Sequence, residues 1–242
     1  MTLYKSTKRI LIAVALCIAA TATFLVVSGK GSRPSRSLGS QNQTDDEEKK
    51  AREAFKRGGL REAAKVKGNY VANYDPHWDV GQFSVEDLTK NSAAVIVGRV
   101  NKKLDARLIE GRVIFTDYEV AVDELIKGTL DQAQTIVVAI PGGRFYFEDG
   151  TSAEQLTPTF EQPRPGRAYT LFLMREAALP SVFFLMGGPQ GMLDIEDSSS
   201  VRSHGRPEDP GAVETKGKNR ESFLKDVRQQ ARKWPKPGKC CG

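Results

Sequence analysis

One stretch of the sequence limits the fold more than any other, residues 93–128, where AAVIVGRV is followed after a polar turn by RVIFTDYEVAVDELIKG. Residues 113–122 alternate, with Ile114, Tyr118, Val120 and Val122 on one face and Asp117, Glu119 and then Asp123 on the other. A period of two is typical of a strand with one buried and one solvent-facing side. The run from Ala93 to Val100 is almost continuously apolar and rich in β-branched residues, which predicts a central strand covered on both faces.

Three further apolar segments follow this hairpin: IVVAIPGG at 136–143, PGRAYTLFL at 165–173 and GGPQGMLDI at 187–195. They predict strands over 135–140, 168–174, 182–186 and 191–195. The range Asp149–Pro165 holds three prolines, a glycine and many polar residues, so we expect a long loop there. The glycines at 187–191 predict a corner turn rather than a phosphate-binding loop, because no lysine follows them and the next residues have strand character.

The order of these segments resembles uncharacterised bacterial envelope proteins and, more distantly, is similar to netrin-like modules such as the tissue inhibitors of metalloproteases. The resemblance covers residues 83–196 and implies a mainly β fold, a small OB-like barrel of five to six strands. An immunoglobulin-like sandwich is the alternative. In the netrin-like inhibitors, an N-terminal cysteine and disulfides build the inhibitory wedge. Here no cysteine occurs between Cys17 and Cys240, so the resemblance implies the fold and not the inhibitory activity.

The N-terminus predicts export. Lys5, Lys8 and Arg9 precede the uncharged stretch Ile10–Val27, whose 18 residues would span roughly 27 Å as a helix, close to the thickness of a bilayer core. We expect an uncleaved single-pass signal anchor with a cytoplasmic N-terminus and an extracytoplasmic body. Cleavage near Ala20–Ala22 or Gly29 is the alternative and would give a secreted or periplasmic protein.

Composition divides the chain into six predicted segments. They are a transmembrane signal anchor or signal peptide (1–28), a flexible and helical linker (29–68), the OB-like barrel (69–196), a mobile loop (197–218), a C-terminal helix (219–234) and a disordered tail (235–242). In the linker, Asp45–Lys67 has helix-forming residues that Gly58 and Gly59 should break in two. Its apolar content predicts a solvated helix. A capping box at Ser84–Asp87 predicts a short helix before the first strand. Asn219 is the predicted cap of the C-terminal helix, and the helical spacing of Phe223 and Val227 predicts that this helix packs on the barrel.

The charge distribution argues against a nucleic-acid partner. The chain carries a net charge of +6, but residues 76–196 hold 11 basic and 17 acidic side chains, a net charge of −6. Proteins that bind nucleic acids need a basic surface on the folded domain itself. The excess positive charge instead lies in the flanking segments.

Candidate chemistry is sparse. The triplet Asp75, His77 and Asp79 is better explained as a turn than as a metal site, because further ligands are missing. No serine lies on the sharp Gly-flanked turn that a hydrolase nucleophile requires. We therefore predict no enzymatic activity, no cofactor and no metal. Cys240 and Cys241 could link chains or belong to the tail. The candidate binding surface consists of aromatic residues and one arginine: Trp78, Arg144, Phe145, Tyr146 and Phe147.

These observations predict a membrane-anchored bacterial envelope protein. The first hypothesis is that its exported barrel is a non-enzymatic module that contacts another envelope protein. The second is that the barrel binds a small ligand or glycan through its exposed aromatic residues. An exposed aromatic groove would favour the second hypothesis, and a flat apolar patch ringed by charge would favour the first.

Overall fold

The chain folds into ten strands and four helices over the residues that the computed structural model describes, 39–76, 81–130, 134–176 and 179–235. The strands are β1 Asn69–Asn73, β2 Ala94–Ile109, β3 Val113–Lys127, β4 Thr135–Pro141, β5 Gly143–Tyr146, β6 Ser152–Leu156, β7 Ala168–Glu176, β8 Leu179–Leu185, β9 Met192–Asp194 and β10 Arg202–Ser203. The helices are α1 Gly39–Lys67, α2 Val85–Asn91, α3 Pro210–Thr215 and α4 Arg220–Lys233, and a 3-10 turn covers Gly188–Gly191.

Seven of the strands form one sheet in the order β10-β9-β7-β2-β3-β4-β8. β7 also pairs with β8, so the hydrogen-bonded pairings run from β7 through β2, β3 and β4 to β8 and return to β7. All of these pairings are antiparallel except that between β4 and β8. The prediction of a mainly β fold is confirmed.

The central position of β2 explains its continuous apolar run. Ile96 lies in a core cluster with Tyr118 of β3 and Leu171 of β7. Val95 and Val97 point to the other face and join a second cluster with Phe172, Phe223 and Val227. The strand is therefore buried on both sides, as its sequence predicts, and its second cover is supplied by helices α2 and α4.

The outer half of β2 extends beyond its pairing with β7, whereas the facing half of β3 remains paired with β4. Register shifts interrupt the β2–β3 pairing at four places, the last between Lys103 and Ala106, and such irregularities increase strand twist. The far end of the hairpin packs through Ala106, Leu108 and Ile114 against a third core cluster. The same cluster includes side chains of a second sheet, which has three strands in the order β1-β6-β5.

Helix α1 covers the inner face of this small sheet. Gly59 interrupts the helix with a φ angle of 77°, as the sequence predicts. The prediction of a solvated helix is wrong, because Ala51, Leu60 and Ala63 are fully buried. Small alanine side chains allow close approach of the helix to the sheet, although they contribute little to sequence hydrophobicity.

Two predicted loops contain regular structure. The range 149–165 holds β6, which pairs with both β1 and β5. The range 197–218, predicted as a mobile loop, holds β10 and α3, and buries Val201, His204 and Thr215. The five to six strands expected from sequence therefore leave out β1 and β6 of the small sheet. The cause is that β6 (SAEQL) has no apolar alternation of its own and is held by its two neighbours.

Both predicted capping motifs form. The Ser84 side chain accepts a hydrogen bond from the Asp87 amide, and the Asp87 carboxylate accepts one from the Ser84 amide. Asn219 caps α4 by accepting from the Ser222 amide at 2.8 Å. Phe223 and Val227 of α4 are fully buried, so this helix packs on the sheet as its spacing predicts.

Several sequence predictions fall outside the described residues. These are the anchor Ile10–Val27, the metal triplet members His77 and Asp79, Trp78 and the cysteine pair at 240–241. Within the ranges that are described, no helix is both long and apolar enough to cross a bilayer.

Candidate functional site

Strand alternation splits the candidate surface that the sequence predicts. Arg144 and Tyr146 are exposed on the outer face of β5, where the Tyr146 side chain is 69% accessible. Phe145 and Phe147 point inward and pack edge to face at 5.2 Å between ring centroids. Only two of the four described members therefore share an accessible face.

Arg144 does not present a free charge on that face. Its guanidinium forms an ion pair with Glu154 of the adjacent strand β6. Around this pair lie two exposed apolar side chains, Val71 of β1 and Leu156 of β6, each more than two fifths accessible. The outer face of the small sheet is thus a shallow mixed surface rather than a cleft.

The clearest cavity lies elsewhere, between the tips of two hairpins. It has a volume of about 580 Å³, and we call it the hairpin pocket. The β2–β3 hairpin contributes Ile109, Glu110 and Phe115, and the β7–β8 hairpin contributes Met174, Glu176, Leu179, Phe184 and Leu185. Tyr74, Pro76, Pro141 and Gly188 complete its lining.

Aromatic contacts fix the floor of the hairpin pocket. Phe115 and Phe184 meet edge to face, with centroids 5.4 Å apart and an interplanar angle of 85°. Phe115 lies opposite Pro141 in the β3–β4 ladder, and Phe184 lies opposite Met174 in the β7–β8 ladder. Because four strands hold these side chains, the apolar floor is built into the sheet and does not depend on a loop.

Among the described residues that line the hairpin pocket, the charged side chains are all negative. Glu110 and Glu176 are exposed and line the cavity, and neither forms an ion pair or hydrogen bond within the described part of the chain. None of the described lining residues is Lys, Arg or His. The Asp117 carboxylate, in contrast, is paired, because the Arg107 guanidinium donates hydrogen bonds to both of its oxygens.

Glu110 also has an unusual backbone. Its φ angle of 49° is the only positive value among the described non-glycine residues, and Gly111 follows with φ 69°. The Arg112 amide donates to the Ile109 carbonyl at 3.0 Å and closes a two-residue turn. Turns with two positive φ angles favour Asn-Gly or Asp-Gly, so a glutamate at the first position is strained.

A second group of ionisable residues surrounds His204. The imidazole is 7% exposed and lies near the rings of Phe160 and Tyr169, with centroids at 5.9 and 6.0 Å. Burial, together with the nearby charge of Arg202, lowers the pKa of His204 to about 4. In the described structure Nε2 has no hydrogen-bond partner, so no nucleophile is positioned against it. The site has the character of a buried neutral side chain.

Asp75 is the one member of the predicted metal triplet that the structure describes, and other side chains of the protein engage its carboxylate. The Asp75 carboxylate pairs with Arg206 at 3.0 Å and accepts a hydrogen bond from Thr159. Across the described ranges, no group of three His, Cys, Asp or Glu side chains is arranged to hold a metal ion.

Comparison with known proteins adds no assignment, since the chain matches no family model and no curated protein sequence. The functional argument therefore rests on the geometry of the hairpin pocket.

The sequence does not reveal this pocket. Its two hairpin tips are separated by about 65 residues, and only the fold brings Phe115 and Phe184 together. One local signal exists, the Glu110-Gly111 pair, where a turn of this type ordinarily carries asparagine or aspartate.

Proposed function

We propose that the domain is a non-enzymatic binding module with an OB-like barrel, and that its hairpin pocket holds a small apolar ligand. The cyclic order of the pairings among β7, β2, β3, β4 and β8 supports the barrel, because a five-stranded Greek-key barrel closes in this way. The parallel β4–β8 pair favours it over an immunoglobulin-like sandwich, whose sheets are antiparallel.

The observation that carries the proposal is the hairpin pocket itself. Its volume of about 580 Å³ falls within the range of about 300–1,000 Å³ that small-molecule sites occupy. Its floor is aromatic and aliphatic, and it lies on strands that core clusters hold on their other side. A concave aromatic site favours ligand binding over a flat protein contact.

A binding titration tests the proposal. We suggest 1-naphthylmethanol as the probe, with the full-length chain held in lipid nanodiscs, because detergent would compete for an apolar site. Leu179→Gln should weaken binding roughly five- to tenfold through the loss of apolar contact. Leu125→Gln, at an exposed leucine of β3 outside the pocket, should leave the affinity unchanged. Equal effects of the two variants would contradict the proposal.

The outer face of the small sheet supports a second candidate function, contact with another envelope protein. Tyr146, Val71 and Leu156 expose apolar surface there, and β1 lies at the edge of its sheet. A photo-crosslinking residue in place of Tyr146 should capture one partner in intact cells, whereas the same residue at the exposed Val213 should not. Equal capture at both positions, or none, would remove this candidate.

We also propose that the protein is anchored in a membrane. The basic cluster of Lys5, Lys8 and Arg9 before Ile10–Val27 supports a single-pass anchor with the binding domain outside the cytoplasm. Protease treatment of intact spheroplasts should then remove the domain, whereas a cytoplasmic domain would survive until lysis.

A further inference from the structure

We infer that the ligand of the hairpin pocket is a small organic cation, an apolar body that carries an ammonium or related positive group. The inference rests on the proposed function, because it names the chemistry of the ligand that the same pocket would hold. The apolar floor would take the body of the ligand, and the two carboxylates would face its charged end.

The first argument is that two carboxylates at the pocket lack a counter-charge. Several acidic residues elsewhere on the same sheets are paired, as Asp117 is with Arg107 and Glu154 with Arg144. Glu110 and Glu176 line the cavity without such a partner in the described structure. Two anionic groups beside low-dielectric walls attract a cation and repel an anion.

The nearest basic neighbour in sequence does not neutralise Glu176. The Arg175 guanidinium lies over the Phe183 ring at 4.7 Å and reaches the Thr129 carbonyl at 3.4 Å. The negative charge at the pocket therefore remains available to a ligand.

The second argument is the backbone cost at Glu110. A glutamate with φ 49° is strained relative to a residue suited to that conformation. Strain of this kind is found preferentially at functional sites. Asparagine would fit the turn better but would remove the charge, and aspartate would keep the charge on a side chain one methylene shorter.

A matched charge series tests the inference. The probes are 1-naphthylmethylamine, which is cationic at neutral pH, 1-naphthylmethanol, which is neutral, and 1-naphthoate, which is anionic. With the full-length chain in nanodiscs of neutral lipid, the cation should bind roughly three- to tenfold more tightly than the alcohol. The anion should bind most weakly. The advantage of the cation should shrink from about 0.02 M to about 0.5 M NaCl, since screening increases.

Substitutions of the two glutamates test whether their charges cause the preference for the amine. Glu110→Asn combined with Glu176→Gln should lower the affinity for the amine to that of the alcohol, and should leave the alcohol unchanged. Glu110→Asn alone should weaken amine binding while it stabilises the fold, which separates lost charge from lost structure. Glu148→Gln, at an exposed glutamate outside the pocket, is the matched control and should change neither affinity.

The outcomes separate this inference from the proposed function. If the alcohol binds at the pocket as tightly as the amine, the inference is wrong and the proposed function stands. If the double variant leaves the preference for the amine intact, the inference is also wrong. If none of the three probes binds in a manner that Leu179→Gln weakens, the proposed function itself fails.

Discussion

Acidification should destabilise the protein through His204. This side chain is almost fully buried, and burial lowers its pKa from 6.5 to about 4. Below pH 6.5 the imidazole of the unfolded chain gains a proton, whereas the folded imidazole stays neutral until about pH 4. The unfolded state therefore binds more protons in this window, and the free energy of unfolding must fall as the pH falls.

The magnitude follows from the two pKa values. Between pH 7.5 and pH 4.5, the free energy of unfolding should drop by roughly 2–3 kcal/mol, with a slope of roughly 1 kcal/mol per pH unit below pH 6. Paired carboxylates lose their contribution at lower pH, because hydrogen bonds from Arg202 and Arg228 hold the pKa values of Glu161 and Glu124 below 4.5. Above pH 4.5, the pH dependence of the free energy of unfolding is therefore due mainly to His204.

Urea unfolding followed by tryptophan fluorescence at several pH values measures the effect. The chain has two histidines, so the series should be run with His77→Gln throughout, which leaves His204 as the only one. In this background His204→Phe, which can pack beside Phe160 and Tyr169, should abolish the slope between pH 6.5 and 4.5. His204→Gln serves as a second non-ionisable variant. A slope that persists in both variants would refute the reasoning.

Three further substitutions should change stability in predictable directions. Lys127→Met should cost about 2 kcal/mol in urea unfolding, because Nζ donates to two carbonyls at the end of α2 at 2.6 and 2.9 Å. Gly143→Ala should destabilise by at least about 2 kcal/mol, because its Cβ would lie 2.1 Å from Thr116 Oγ1, and Gly150→Ala, with open space, should cost less. Glu110→Asn should raise the free energy of unfolding by about 0.5–1 kcal/mol through relief of its turn, and a loss of stability would contradict that explanation.

Periodicity in the sequence predicts the strands that form the main core. The apolar patterns of β2 and β3 predict both strands. A strand buried on two faces, such as β2, is continuously apolar, whereas a strand buried on one face, such as β3, alternates. The caps at Ser84 and Asn219 follow from local hydrogen-bonding chemistry that needs no tertiary information.

The small sheet could not be predicted in the same way. β6 becomes a strand because β1 and β5 satisfy its backbone on both sides, and no single segment encodes that arrangement. The burial of α1 depends on alanines, whose small apolar area carries little signal even where close packing requires it.

The hairpin pocket lies beyond sequence prediction for a related reason. Its floor needs Phe115 and Phe184 in contact, which depends on the pairing of β4 with both β3 and β8. The candidate aromatic residues near β5 are dense in the sequence, yet strand alternation turns Phe145 and Phe147 inward and leaves only Tyr146 of the described ones exposed.

The most direct test of the central claim is to locate a bound probe on the protein. Intermolecular nuclear Overhauser effects between the naphthyl protons of 1-naphthylmethylamine and methyl-labelled full-length chain would show which side chains it touches. The account predicts contacts to the methyl groups of Ile109 and Leu179, which line the hairpin pocket. Contacts confined to other methyl groups, such as those of the exposed Val213, would contradict it.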